Sequence, residues 1–74
     1  MEEIEKLKVD YKDGEVETWG NRAGLRGLGE LCLGLSELSA EQAKTPANHY
    51  HIEECMNNAE PGSVPLIITL KLDL

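Results

Sequence analysis

The first twenty residues alternate between apolar and polar positions on both sides of an Asp-Gly pair. The runs IEKLKVDY and EVETW flank Asp13-Gly14, a pair suited to the two-residue type I′ turn of a β-hairpin. Pairing outward from this turn matches Lys12 with Glu15, Tyr11 with Val16, Asp10 with Glu17, Val9 with Thr18, and Lys8 with Trp19. One face of the predicted hairpin then carries the apolar side chains Leu7, Val9, Tyr11 and Val16.

The segment after the hairpin changes to the apolar period of a helix. Asn21 is the predicted N-cap, because its side chain can accept a hydrogen bond from a free N–H of the first turn. Four glycines in this segment each weaken a helix by up to about 1 kcal/mol relative to alanine, so we expect close packing on a sheet to hold it. The apolar stripe is predicted at Leu25, Leu28, Leu31, Cys32, Leu35 and Leu38.

Two further alternating runs predict two more strands. NHYHIEEC places Tyr50 and Ile52 on one face, and PLIITLKLDL places Leu66, Ile68, Leu70 and Leu72 on one face. The element order is therefore ββαββ, and a chain of 74 residues supports one modest core. We predict a single α+β domain over residues 1–74, with a four-stranded, mainly antiparallel sheet and one amphipathic helix packed on one face. The covered face is predicted to be the one that carries the apolar residues of the hairpin, Tyr50, Ile52 and the set that begins at Leu66.

The sheet face away from the helix carries an unusual mixture of groups. An exposed Trp among carboxylates and imidazoles is typical of a contact surface. A second copy of the chain covering this face, in a homodimer, is the alternative. The predicted partner-binding residues are Glu15, Glu17, Trp19, His49, His51 and Glu53.

Charge narrows the choice of partners. Fourteen acidic residues against seven basic ones give a net charge of −7, which disfavours nucleic acid and anionic membranes and attracts a basic protein. The N-terminal residues MEEIEKLKV are too polar for a signal peptide, and no apolar run reaches membrane-spanning length. We therefore expect a cytoplasmic protein that binds neither nucleic acid nor membrane.

The stretch NHYHIEEC also raises the question of metal binding or catalysis. His49 and His51 project to the same side of a strand and can chelate one ion, but Cys55 would lie about 20 Å from His49 on a straight strand. A cysteine–histidine pair lacks a visible orienting group, and so small a chain has little means of excluding water. We predict no enzyme, no metal and no cofactor. A small homodimeric metal- or ligand-binding domain using His49 and His51 is the alternative.

Three stretches follow one another along the chain: GNRAGLRGLGELCLGLSEL, NHYHIEE and AEPGSVPLIITLKLD. Their order and spacing resemble the immunity protein 32 family, small cytoplasmic proteins encoded beside toxins in bacterial polymorphic toxin systems. The resemblance implies a non-enzymatic inhibitor that binds a cognate protein toxin, and the acidic charge fits a basic toxin such as a nuclease. His49, His51 and the turn at residues 60–63 match the family pattern.

Overall fold

The computed structural model describes residues 3–74, and its elements follow the predicted order. Short 3-10 turns cover Gln42–Lys44, Pro46–Asn48 and Glu54–Met56. The α+β class and the ββαββ order are confirmed. The main elements are β1 (Leu7–Lys12), β2 (Glu15–Gly20), α1 (Arg22–Ser36), β3 (His49–Ile52) and β4 (Leu66–Thr69).

Strands β1 and β2 form the hairpin that the Asp-Gly pair predicts. Asp13 and Gly14 have φ angles of 53° and 81°, as a type I′ turn requires of both central residues. Every predicted pair is present, from Lys12 opposite Glu15 to Lys8 opposite Trp19. Turn chemistry and alternation are both local, so they set this register without help from the rest of the chain.

The four strands are antiparallel within their pairs, but they form two two-stranded sheets instead of one sheet of four. The segment of residues 60–64, before β4, lies along β1. Glu60 N–H donates to the Leu7 carbonyl at 2.7 Å, and Val64 N–H donates to the Val9 carbonyl at 2.8 Å. Proline at positions 61 and 65 offers no N–H, and Gly62 turns left-handed with φ 85°. These residues interrupt a ladder, so the junction between the sheets stays irregular.

Asn21 joins the start of α1 to the N-terminal segment. Its Oδ1 accepts from Gly24 N–H at 2.8 Å and from Lys6 N–H at 3.1 Å, and its Nδ2 donates to the Ile4 carbonyl at 2.6 Å. Glu3 Oε1 accepts from Ala23 N–H at 2.8 Å, also in the first turn. The predicted N-cap is confirmed, and it also fastens residues ahead of the hairpin.

The buried side of α1 differs from the predicted stripe at two positions. Leu25 is 49% exposed and Cys32 is exposed, so their assignment to the apolar stripe was wrong. Gly24 is buried instead, because it lies so close to the Lys6 carbonyl oxygen that a Cβ would overlap it. The inward side of α1 is formed by Gly24, Leu28, Leu31 and Leu35, and the half-buried Leu38 follows the helix.

The core lies where α1 meets one end of the first hairpin and the start of the connection after β3. Leu7 and Ile52 line a cleft of about 170 Å³ together with Leu28 of α1. The most buried side chains are Val9 and Ile52, each 1% exposed, and Leu35, 4% exposed.

Four residues predicted to lie under the helix are outside this core. Tyr11 is 62% exposed, Val16 is 59% exposed and Tyr50 is 50% exposed. Leu72, which follows the end of β4, is 59% exposed. Helix α1 begins directly after β2, and its first turn meets the Lys6 backbone at the end of the hairpin away from Asp13 and Gly14. It covers the end of the hairpin near Leu7 and leaves the turn end of the hairpin uncovered.

Candidate functional site

Strand β2 presents an acidic and aromatic face to solvent. Glu15, Glu17 and Trp19 alternate along the strand and therefore share one side. All three are exposed, and Trp19 exposes 50% of its surface. Asp10 of β1 lies directly opposite Glu17. We call Asp10, Glu15, Glu17 and Trp19 the acidic hairpin face.

The pair formed by Asp10 and Glu17 is unfavourable for the isolated hairpin. Like charges directly opposite each other destabilise an antiparallel pair, whereas opposite charges stabilise one by about 0.2–1 kcal/mol. The neighbouring pair of Lys12 and Glu15 shows the favourable arrangement. Two adjacent carboxylates are better suited to meeting positive charge from another molecule than to holding these strands together.

An open hollow of about 560 Å³ adjoins Trp19. Lys8, opposite Trp19, donates from Nζ to the Pro61 carbonyl at 2.9 Å and so ties the turn of residues 60–63 to the hairpin. The sequence did not predict this hollow, because no local pattern places residues 60 and 61 beside β1. The lining residues are Lys6, Leu7, Lys8, Trp19, Gly20, Asn21, Glu60 and Pro61.

The two histidines lie side by side on β3. Their ring centroids are 5.0 Å apart, and the rings meet edge to face at 72°. Asn48 Nδ2 donates to the Ala43 carbonyl at 3.0 Å, which leaves Asn48 Oδ1 facing His49 Nδ1 at 3.0 Å. Nδ1 of His49 is therefore the donor, and in the neutral ring Nε2 carries the lone pair.

The histidine pair supplies at most two ligands of a metal site. Within residues 3–74, no group of three or more His, Cys, Asp or Glu side chains is arranged to hold a metal ion. A protein zinc site takes at least three protein ligands. The geometry of His49 and His51 therefore suits a stacking and hydrogen-bonding surface better than a closed metal centre.

Glu53 follows β3 and is occupied by local contacts. Its backbone N–H donates to Asn58 Oδ1 at 2.8 Å, and its Oε1 accepts from the Cys55 thiol at 3.0 Å. This hydrogen bond is the main cause that raises the pKa of Cys55 above its ordinary value of 9.0, with desolvation and the Glu53 charge adding to it. Cys55 is held as a thiol, the form that is poor both as a nucleophile and as a metal ligand.

The six predicted partner-binding residues fall into two groups. Glu15, Glu17 and Trp19 lie on β2 of one sheet, whereas His49 and His51 lie on β3 of the other, with Glu53 immediately after that strand. Their shared role in binding stays a prediction.

The fold and this surface define a small α+β domain whose distinctive feature is an exposed face with carboxylates and an indole. The family model of immunity protein 32 matches residues 15–71, well over half of the chain, and the protein belongs to this family. The matched range includes all six predicted partner-binding residues. No curated protein and no solved structure matches the chain. Among the helices of residues 3–74, none is long and apolar enough to cross a membrane.

Proposed function

We propose that this protein is a non-enzymatic immunity protein that binds and neutralises a cognate protein toxin through the acidic hairpin face. The observation that carries the proposal is the half-exposed Trp19 beside Glu15 and Glu17, in a member of the immunity protein 32 family. Trp is enriched among the few interface residues that supply most of the binding energy, especially where nearby contacts exclude water. Trp19 is the proposed anchor of the complex.

The charge of the protein supports a basic toxin. A net charge of −7 attracts a positively charged partner over a distance of about a Debye length, and such steering raises association rates. Nucleases bind polyanions, so a nuclease is the proposed class of toxin. The complex would form in the bacterial cytoplasm, where the nucleic acid needs protection.

His49, His51 and Glu53 are proposed as a second part of the binding surface. The imidazoles are half-buried, and each offers an aromatic face and a hydrogen-bonding group whether charged or neutral. Contact with them would extend the interface from the first sheet to the second. A partner that touches both sheets would also hold their relative arrangement.

Co-expression with the protein encoded by the adjacent gene tests the proposal. We expect the chain to restore growth of cells that make that protein, and a stoichiometric complex to elute on size exclusion. A folded, soluble chain that neither restores growth nor forms a complex would contradict the proposal. Zinc bound stoichiometrically after dialysis of that chain would then support the metal-binding alternative.

A matched pair of double variants assigns the activity to the hairpin. Glu15→Lys with Glu17→Lys reverses the charge of the acidic hairpin face, and Glu37→Lys with Glu41→Lys makes the same change in net charge near the end of α1. We expect only the hairpin variant to lose growth rescue. Equal losses would mean that total charge, and not this face, decides binding.

A further inference from the structure

The backbone of β2 has an open edge. In an antiparallel hairpin, residues alternate between pairs that exchange hydrogen bonds and pairs that direct their N–H and C=O groups outward. Asn21 N–H donates to the Lys6 carbonyl at 3.2 Å, so these two residues direct groups toward each other. The N–H and C=O of Val9 instead bond to the segment of residues 60–64, so they point outward from the hairpin. Since Val9 faces outward and lies opposite Thr18, the same alternation directs the N–H and C=O of Thr18 and Val16 away from β1.

In the described part of the chain, the outer edge of β1 and one carbonyl of β3 are hydrogen-bonded to other segments, whereas the outer edge of β2 is not. The Glu60 and Val64 amides occupy the outer edge of β1, and Asn58 Nδ2 donates at 2.8 Å to the His51 carbonyl on β3. Within residues 3–74, β2 pairs with β1 alone, and no backbone hydrogen bond joins Val16 or Thr18 to another element. A six-residue strand with free backbone groups is a template for pairing with another chain.

We propose that an extended, basic segment of the cognate toxin adds to this edge as a third strand of the first sheet. The inference rests on the proposed function and specifies how binding occurs. A strand paired with β2 would place alternate side chains on the same side as Glu15, Glu17 and Trp19. Lys or Arg at those positions would meet the two carboxylates, and an apolar residue would pack beside the indole.

The side chains of β2 make a second copy of this chain a poor occupant. In antiparallel self-pairing, matching Val16 with Val16 sets Glu15 opposite Glu17, and matching Val16 with Thr18 sets Glu17 opposite its own copy. The register that matches Thr18 with Thr18 avoids these repulsions, but it still joins two chains of net charge −7. Charged residues on an edge strand discourage self-association, while these same charges admit a basic strand.

Amide exchange of the wild-type chain tests the inference directly. In the free protein, we expect fast exchange at Val16 and Thr18 and slower exchange at Glu15, Glu17 and Trp19, whose N–H groups point toward β1. On binding the protein encoded by the adjacent gene, exchange at Val16 and Thr18 should slow by at least about tenfold. A stable complex in which these two amides gain no protection would overturn the inference. Concentration-dependent protection in the free chain would also overturn it, because a second copy would then be the occupant.

A pair of proline variants provides a matched test. Val16 and Tyr11 lie opposite each other, are similarly exposed, and direct their N–H groups to opposite edges of the hairpin. Val16→Pro removes one N–H from the open edge, whereas Tyr11→Pro removes one from the far edge. We expect Val16→Pro to raise the Kd at least about tenfold and Tyr11→Pro to leave it within about threefold. Equal affinities of the two folded variants would overturn the inference.

Failure of the proposed function can be distinguished from failure of the strand-pairing inference. If wild-type protein neither rescues growth nor binds, the proposed function fails and the strand-pairing inference fails with it. If wild type binds but the amide pattern or the folded proline pair shows no role for the edge, the immunity function stands and only the inference is overturned. Should Val16→Pro not fold, the wild-type amide pattern decides.

Discussion

Each of the two sheets has two antiparallel strands, but the sheets differ in what sets the pairing of their strands. Strands β1 and β2 are joined by two residues, and their register follows from Asp13 and Gly14. Strands β3 and β4 are joined by residues 53–65, a connection held by side chains. Asn58 bonds to both Glu53 N–H and the His51 carbonyl, and Glu54 Oε2 accepts from Gly62 N–H at 3.2 Å.

This difference separates the element that completes the core from the surface proposed to bind the toxin. The second sheet contributes Ile52 to the core, and its long connection reaches back to cover the edge of β1. The first sheet contributes Val9, while the outer strand β2 keeps its carboxylates, indole and backbone edge exposed. A strand whose register is set locally can leave one edge unpaired without losing its own structure.

The largest effect should come from the core residue of the second sheet. Ile52→Ala should lower the free energy of unfolding by about 2–5 kcal/mol, because it leaves a cavity at a fully buried site. Ile67→Ala, on β4 and 56% exposed, should cost less than about 1 kcal/mol. Urea unfolding followed by circular dichroism measures both. Similar losses for the two variants would mean that the core does not lie at Ile52. If Ile52→Ala is unfolded, Ile52→Val replaces it, with an expected loss of about 0.5–1.5 kcal/mol.

The next effect concerns binding by the first sheet. Trp19→Ala should weaken the toxin complex by more than about 2 kcal/mol, a typical loss for an aromatic anchor. Tyr50→Ala is the control, since Tyr50 has the same 50% exposure on the second sheet. Titration calorimetry gives both dissociation constants. An unchanged Kd for Trp19→Ala would remove this residue from the binding mechanism.

Loss of the Asn21 cap should lower the free energy of unfolding by less than a cavity in the core does. Asn21→Ala loses the acceptor for Gly24 and Lys6 and the donor to Ile4, and should cost about 1–2 kcal/mol of unfolding free energy. Asn21→Asp keeps the acceptor but loses the donor, so its loss should be smaller. Thermal and urea unfolding measure the stability of the two variants. Equal losses would show that the bond to Ile4, and not the helix cap, supplies the stabilisation.

Reversing the charge of Glu17 should raise the stability of the free protein and lower its rate of association with the toxin. Glu17→Lys turns the repulsive pair with Asp10 into an attractive one, so the free protein should gain about 0.2–1 kcal/mol. Association with the toxin should slow, and the remaining rate should depend less on salt. Glu41→Lys is the control with the same change in net charge. Stopped-flow rates that are equal for both variants would argue against steering by the hairpin face.

The smallest effect concerns the thiol beside β3. In a Cys32→Ser background, the alkylation rate of Cys55 should rise with a midpoint above pH 9.0, because the hydrogen bond from its thiol to Glu53 raises the pKa of Cys55. Glu53→Gln should lower that midpoint. The stabilising contribution of this raised pKa is present below pH 9.0 and is lost as pH rises through the folded-state value. A midpoint unaffected by Glu53→Gln would assign the raised pKa to desolvation instead.

The candidate site was predictable where it depends on alternation along one strand. Glu15, Glu17 and Trp19 share a face because neighbouring side chains in a strand point to opposite sides, and His49 and His51 share one for the same reason. The hollow beside Trp19 was not predictable. It depends on Lys8 reaching the Pro61 carbonyl, a contact between residues far apart in the chain.

The sequence by itself determined the element order, the hairpin register and the helix cap, because turn conformation, side-chain alternation and capping act over a few neighbouring residues. Only the tertiary structure decided that the strands form two sheets, that Gly24 replaces Leu25 on the buried side of α1, and that Tyr11, Val16 and Tyr50 stay exposed. These outcomes depend on how closely α1 approaches the Lys6 backbone and on where residues 60–64 meet β1. Contacts at such separations are set by packing of the whole chain, which no local pattern encodes.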